Sequence, residues 1–63
     1  MNFKNNLKNL RKNKGYTQKS LAEKMGLPTQ TIINWEQGKT QTSFEALEKL
    51  TYILECSYDD LLK

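Results

Sequence analysis

The sequence has no histidine, one cysteine (Cys56) and one proline, and these shortages exclude whole classes of site. A single thiol cannot form an intrachain disulfide, and without histidine no cysteine–histidine zinc site can be assembled within one chain. The longest apolar run, residues 52–54, is far too short to span a bilayer or to form the apolar part of a signal peptide. We therefore expect no metal, cofactor or membrane partner, a cytoplasmic location, and a Cys56 that is simply a small buried hydrophobe.

The 63 residues leave room for one hydrophobic core, so we expect a single domain over residues 1–63. A domain of this size buries only about 60% of the surface that its unfolded chain exposes, which leaves little interior for a closed catalytic pocket. No plausible cluster supplies an acid, a base, a nucleophile or metal ligands. An enzyme is therefore not expected.

Charge is distributed unevenly along the chain, although the net charge is only +3. Residues 1–19 carry six cations and no acid, whereas residues 20–63 carry four cations and seven acids. A basic end of one sign favours a polyanionic partner such as nucleic acid. The same lysines are equally typical of a solvated helix face, so charge alone leaves both interpretations open.

Apolar residues recur at intervals of three or four, and glycines close the segments that contain them, which predicts helices. The first helix carries the stripe Phe3, Leu7, Leu10 and ends at Gly15. The second helix begins at the N-cap Thr17, carries Leu21, Ala22 and Met25, and ends at Gly26. The third helix is expected from about Pro28 to Gln37, with Ile32 and Trp35 buried.

Two capping-box patterns predict the remaining helices. Thr42 with Glu45 opens a fourth helix, whose apolar stripe consists of Phe44, Leu47, Leu50 and Leu54. Ser57 with Asp60 opens a short fifth helix ahead of Leu61 and Leu62. Since the alternation typical of strands is absent, the sequence predicts an all-α fold, a compact five-helix bundle.

The segment between Gln18 and Trp35 has the spacing of a helix, a tight turn and a second helix that crosses the first steeply. Ala22 is small where the helices must approach closely, and Gly26 permits the positive φ that reverses the chain. Ile32 and Trp35 pack the crossing from the other side. Any helical hairpin can use one of these features, whereas the complete set predicts a helix-turn-helix.

With these residues in place, the sequence resembles the Cro/phage-repressor class of helix-turn-helix domains, also called the XRE class. The family consists of five-helix DNA-binding modules found in transcriptional repressors and antitoxins. The resemblance runs along nearly the whole chain, at Leu7, Leu10, Arg11, Gly15, Thr17, Gln18, Leu21, Ala22, Gly26, Ile32, Trp35, Glu36, Gly38, Lys39, Ser43, Glu45, Leu47, Leu50, Leu54, Ser57, Asp59, Leu61 and Leu62. It implies a lambda-repressor-like fold with the motif at residues 17–37 and a recognition helix at about 28–37.

The sequence departs from the family pattern at three positions. Glu55 stands where the family usually has a glycine that ends the fourth helix, so a differently shaped turn is expected there. Thr42 replaces a common proline, and Tyr16 replaces a common leucine. None of the three lies on the expected DNA surface.

The resemblance implies that the recognition helix enters the major groove with its first residues at the base edges. The base-reading candidates are Thr29, Gln30, Thr31, Ile33 and Asn34. Gln30 is favoured over a merely solvated role because its amide can accept from adenine N6 and donate to adenine N7. Asn34 fits a base or a phosphate equally well. Ile33 suits a thymine methyl, although a lone exposed isoleucine needs no explanation.

Four residues beside this helix are candidates for phosphate contacts, which position a protein without specifying sequence. Gln18 lies in the first turn of its helix, where free N–H groups and the helix dipole favour an anion. Lys14, Lys39 and Thr40 would bind the DNA backbone on either side.

Arg11 and Glu36 are expected to form an ion pair, because a carboxylate beside phosphates needs a matched cation. Both positions belong to the family pattern, which supports the pairing. Arg11 is then chiefly a structural residue, with a phosphate contact as its secondary role.

One such module reads about half a site, and specific binding by this motif normally uses two-fold dimers with recognition helices about 34 Å apart. We therefore expect a homodimer on double-stranded DNA with a palindromic operator, formed from a chain that is monomeric when free. Candidate dimer contacts are Tyr52, Ile53, Tyr58 and Leu62, although the two tyrosines are as well suited to completing the monomer core.

The predicted function is a sequence-specific DNA-binding transcriptional regulator, specifically a repressor. The first alternative is an antitoxin or another protein-binding adaptor of the same fold. The second is a helical scaffold with no nucleic-acid role, which would show neither a preferred operator nor a steep salt dependence.

Overall fold

The computed structural model describes residues 2–63, which form five α-helices joined by short turns. The helices are α1 (Phe3–Asn13), α2 (Gln18–Met25), α3 (Thr29–Gln37), α4 (Phe44–Leu54) and α5 (Tyr58–Leu62). No strand occurs within residues 2–63. The predicted all-α, five-helix architecture is confirmed.

All five helices contribute buried side chains to one core. The buried hydrophobic residues are Leu7, Leu21, Ala22, Met25, Ile32, Trp35, Ala46, Leu50, Leu54 and Leu61. Fully burying a leucine or isoleucine side chain contributes about 1.5–3 kcal/mol. Packing on this scale therefore fixes how α3 sits against α1 and α2.

The predicted helix ends follow from side-chain caps and left-handed residues. The Thr17 hydroxyl accepts the Ser20 N–H at 2.9 Å, and the Ser57 hydroxyl accepts the Asp60 N–H at 3.0 Å. Each of these hydroxyls satisfies one of the amide donors that a helix N-terminus leaves without a partner. Gly26 adopts φ +71°, the left-handed conformation that reverses the chain between α2 and α3.

The turn after α4 corrects the expectation for Glu55. Glu55 ends the helix at φ +52° and ψ +52°, the left-handed conformation that a glycine would adopt there. The Cys56 N–H still bonds the Thr51 carbonyl at 3.0 Å. The turn therefore has the conformation that a glycine would give it, and Glu55 bears the steric strain that this left-handed conformation imposes on a residue with a side chain.

Two helix starts differ from prediction by one residue. The N-cap of α4 is Ser43, whose hydroxyl accepts the Ala46 N–H at 3.1 Å, so the predicted capping box of Thr42 and Glu45 is wrong. With this register Ala46 is buried and Phe44 is 70% exposed, instead of belonging to the core stripe. Pro28 is the extended N-cap of α3 (φ −63°, ψ 145°) and lies just before the helix.

Candidate nucleic-acid interface

Helices α2 and α3 are separated by only three residues and pack against each other extensively. Ala22 is 1% exposed at the contact, and α3 turns Ile32 (0% exposed) and Trp35 (5%) toward the core. This arrangement fixes the direction in which α3 crosses α2. It also leaves the opposite face of α3 toward solvent.

The base-reading candidates retain accessible surface on α3. Gln30 is exposed, while Thr29, Thr31, Ile33 and Asn34 are half-buried. The amide groups of Gln30 and Asn34, one helical turn apart, are joined by a hydrogen bond in which Gln30 Nε2 donates to Asn34 Oδ1 at 3.0 Å. One N–H and the carbonyl oxygen of Gln30 remain available, which is the donor and acceptor pair that adenine matches.

A hydrogen-bonded cluster behind α3 joins three segments of the chain. Arg11 Nε donates to Glu36 Oε2 at 2.6 Å, and Arg11 Nη2 donates to Glu36 Oε1 at 3.1 Å. Arg11 Nη1 donates to the Tyr16 carbonyl at 2.8 Å. The charged side chains of Arg11 and Glu36 are both buried. The bidentate geometry compensates both charges where water is excluded.

Gln18 belongs to the same cluster, a contact that no sequence pattern indicates. Its Nε2 donates to Glu36 Oε1 at 3.1 Å. The Gln18 side chain is therefore held against α3 rather than lying free in solvent. At the first turn of α2 the backbone N–H groups and the positive end of the helix dipole still favour an anion.

The candidate phosphate-binding cations differ in their surroundings. The Lys14 ammonium contacts the carboxylate of Glu55 in the turn after α4, and both side chains are solvent-exposed. This hydrogen bond, reinforced by the Lys14 charge, lowers the pKa of Glu55. Lys39 and Thr40 are exposed in the turn after α3. Lys14 therefore has a competing acidic partner that was not expected from sequence.

This arrangement of α2 and α3 is that of a known protein family. The family described as helix-turn-helix matches residues 7–61. The chain belongs to the helix-turn-helix family. The resemblance to the Cro/phage-repressor (XRE) class is confirmed, and the match agrees with a binding module in preference to an enzyme.

Three curated proteins are similar to this helix-turn-helix chain. The uncharacterized HTH-type transcriptional regulator YqaE of Bacillus subtilis is 36% identical over 61 residues, which cover 97% of this chain and 53% of that protein. The SPbeta prophage-derived uncharacterized HTH-type transcriptional regulator YonR, also of B. subtilis, is 39% identical over 97% of this chain and 56% of its own length. The HTH-type transcriptional activator BcrR of Enterococcus faecalis is 34% identical over 98% of this chain and 30% of its own length. The chain thus spans about half the length of the first two relatives.

The candidate dimer contacts of this helix-turn-helix domain lie on α4 and α5 with unequal exposure. Tyr52 is 87% exposed, so it does not complete the monomer core. Tyr58 is 39% exposed and its ring stacks on that of Phe44, with centroids 6.0 Å apart and an interplanar angle of 9°. Ile53 and Leu62 are half-buried against the core. Phe44, which the sequence pattern placed in the core, is instead exposed and packs on Tyr58, whereas Tyr52 and Ile53 line one hollow and Leu62 lines another.

Cys56, for which the sequence predicts burial, lies at the edge of the core. Cys56 is half-buried rather than buried, and partial burial together with the negative charge of Asp60 raises the pKa of its thiol. A raised pKa reduces the thiolate fraction and hence reactivity. Residues 2–63 hold no group of three potential metal-ligating side chains. No helix described here has the length and apolar character that crossing a bilayer would require.

Proposed function

We propose that this chain is a sequence-specific double-stranded-DNA-binding transcriptional regulator that places α3 in the major groove. The observation that carries the proposal is the orientation of α3, whose Ile32 and Trp35 are buried while Gln30 remains exposed within a helix-turn-helix motif. The names of the similar proteins, all HTH-type transcriptional regulators or activators, support the same role.

Base reading is centred on Gln30. Its carbonyl oxygen accepts from adenine N6 and its remaining N–H donates to adenine N7, while Asn34 holds the other N–H. An amide that is already oriented loses less side-chain freedom when it meets the base. Thr29, Thr31 and Ile33 flank it, with Ile33 suited to a thymine methyl.

Phosphate contacts from both sides of α3 set the register of the protein on the duplex. On one side, Gln18 binds a phosphate at the N-terminal end of α2. On the other side, Lys39 and Thr40 bind phosphates from the turn after α3. Lys14 contributes after exchanging its bond to Glu55 for a phosphate, an exchange between two exposed partners that costs little.

The functional unit on DNA is a homodimer on a palindromic operator, and the free chain is monomeric. Tyr52, Ile53, Tyr58 and Leu62 form the subunit contact. Exposed tyrosines support it, since they bury a large area at a low cost in conformational entropy. A dimer places two recognition helices about one turn of DNA apart, which matches the two-fold symmetry of a palindrome.

The regulatory effect is repression in the cytoplasm. Repression requires only that the operator is occupied, whereas activation requires a further surface that contacts the transcription machinery. A reporter gene downstream of the selected operator tests this, because expression should fall when the protein is present. A rise in expression would instead indicate transcriptional activation, the activity for which the E. faecalis relative is named.

The DNA-binding proposal is tested by selecting bound sequences from a random duplex pool and comparing two variants on the result. Gln30→Ala should weaken binding to the selected duplex by about 1–3 kcal/mol and leave random duplex nearly unaffected, because only a base contact is removed. Lys39→Ala should weaken binding to both duplexes by the same factor, because a phosphate contact carries no sequence information.

Titration by fluorescence anisotropy measures both effects. Equal losses on selected and random duplex for Gln30→Ala would reject its role. Selection that yields no preferred sequence, together with a co-purifying protein partner, would favour the antitoxin or adaptor function.

A further inference from the structure

Lys4, at the start of α1, lies directly over the glycine that ends the recognition helix. An ideal Cβ placed on Gly38 would be 3.3 Å from Lys4 Cδ and 3.9 Å from Lys4 Nζ. A side chain at position 38 would therefore contact Lys4 closely, and the Lys4 side chain would have to move by a few tenths of an ångström. Lys4 also borders an open hollow of about 320 Å³ together with Thr40, Gln41 and Thr42.

The backbone at Lys4 is positioned by the packing of its neighbour, Phe3. The Phe3 ring packs edge-on against Trp35 of α3, with centroids 6.4 Å apart and an interplanar angle of 72°. Trp35 is itself buried in the core. The first turn of α1 is therefore tied to the last turn of α3, and Lys4 is carried to the end of the recognition helix.

The charge of Lys4 has no acidic partner among residues 2–63. The ion pairs there join Arg11 to Glu36 and Lys14 to Glu55. The last turn of α3 contains no cation of its own, and the partial negative charge at a helix C-terminus attracts an ammonium group. The Lys4 side chain thus lies against Gly38, in a hollow that Thr40 also lines, and its charge is uncompensated by any carboxylate of residues 2–63.

We propose that Lys4 is a further phosphate-binding residue, which contacts the DNA backbone together with Lys39 and Thr40. This inference rests on the proposed function, since it concerns the duplex whose major groove holds α3. Gly38 is favoured by its positive φ of +74°, and the absence of a side chain also lets Lys4 approach without a shift. The basic N-terminal end of the chain then contributes to DNA binding at both ends of the interface, through Lys14 on one side and Lys4 at the far end of α3.

The first test compares Lys4→Met with Lys49→Met, which removes the same charge from α4 beside a different hollow, lined by Met25 and Tyr52. Affinity for the selected duplex and for a random duplex is measured over a series of KCl concentrations. Lys4→Met should reduce the slope of log K against log salt by about 0.9 on both duplexes, the value for one phosphate. Lys49→Met should leave the slope unchanged.

A slope for Lys4→Met equal to that for Lys49→Met would overturn the inference. So would a lowered melting temperature with an unchanged slope, because it would limit Lys4 to stabilising the end of α3. A wild-type protein that shows no salt-dependent duplex binding would instead reject the proposed function.

The second test uses two glycines with the same backbone strain. Gly38→Ala and Gly15→Ala both place a side chain at positive φ (+74° and +79°), but only position 38 meets Lys4, since the Cβ at position 15 would have no atom within 4 Å. Gly38→Ala should lower the salt slope by only part of the loss seen for Lys4→Met, because the flexible Lys4 side chain has to move by only a few tenths of an ångström, and Gly15→Ala should leave the slope unchanged. The double variant Lys4→Met/Gly38→Ala should show no further loss of slope; a full second loss would contradict the link between the two residues.

Discussion

Individual side chains packed behind α3 decide how a carboxylate can lie close to the proposed phosphate-binding surface. The side chains of Arg11 and Glu36 are only 7% and 3% exposed and meet in a bidentate pair. Burying either charge alone would cost several kcal/mol, whereas the paired charges satisfy each other. Glu36 therefore presents little negative charge to the DNA side, and it accepts from Gln18 as well.

Replacing Arg11 by methionine tests this arrangement. Arg11→Met should lower the free energy of unfolding by about 3–5 kcal/mol, because Glu36 becomes a buried uncompensated charge and the Tyr16 carbonyl loses its donor. Lys8→Met, on the exposed side of the same helix, should change stability by less than about 0.5 kcal/mol. Urea unfolding followed by circular dichroism measures both.

The double variant Arg11→Met/Glu36→Leu supplies the control for this prediction. Removing both charges should recover part of the lost stability, since buried ion pairs are often replaced by apolar residues at little cost. Equal stabilities for Arg11→Met and Lys8→Met would show that the pair does not stabilise the fold.

At the scale of the elements, helix ends were predictable where a local signal is unambiguous. Thr17, Gly26 and Ser57 act where their chemistry indicates, because caps and left-handed turns depend on residues close in sequence. The start of α4 was mispredicted because Thr42 and Ser43 are both good N-caps. Packing of Ala46 into the core selects Ser43, and sequence spacing alone does not reveal that choice.

The end of α4 offers a prediction about backbone strain. Glu55 is the one non-glycine residue at positive φ within residues 2–63. Glu55→Gly should melt roughly 4–8 °C higher than Glu55→Ala, because both variants lose the contact with Lys14 but only alanine keeps the left-handed strain. Thermal unfolding at neutral pH measures the difference.

The pH dependence separates strain from charge at the same position. Since Lys14 lowers the pKa of Glu55, their contact stabilises the fold at neutral pH and is lost as the pH falls through that lowered pKa. The difference between wild type and Glu55→Ala should therefore shrink in acid, while the difference between the glycine and alanine variants persists. Identical melting temperatures for the two variants at all pH values would contradict the strain argument.

At the scale of the whole molecule, the charge asymmetry of the sequence is redistributed by folding. Two of the six N-terminal cations, Arg11 and Lys14, are paired with acids from distant segments, 25 and 41 residues away. Lys4 is instead carried to the end of α3. The helices, the motif and the outward face of α3 could be predicted from periodicity. The contacts of Gln18, Lys14 and Lys4 could not, because they depend on how the helices cross.

The assembly on DNA leads to the last prediction, which compares a duplex with one half-site to a palindrome with two. With three phosphates neutralised per subunit, by Lys4, Lys14 and Lys39, the slope of log K against log salt should be about −2.7 on the half-site and about twice that on the palindrome. Two chains should bind the palindrome cooperatively, as analytical ultracentrifugation with labelled duplex can measure.

Tyr52→Ser should reduce this cooperativity while leaving half-site affinity unchanged, because Tyr52 is 87% exposed on α4 and supports no core contact. One bound chain and a single slope on both duplexes would mean that the protein acts on DNA as a monomer.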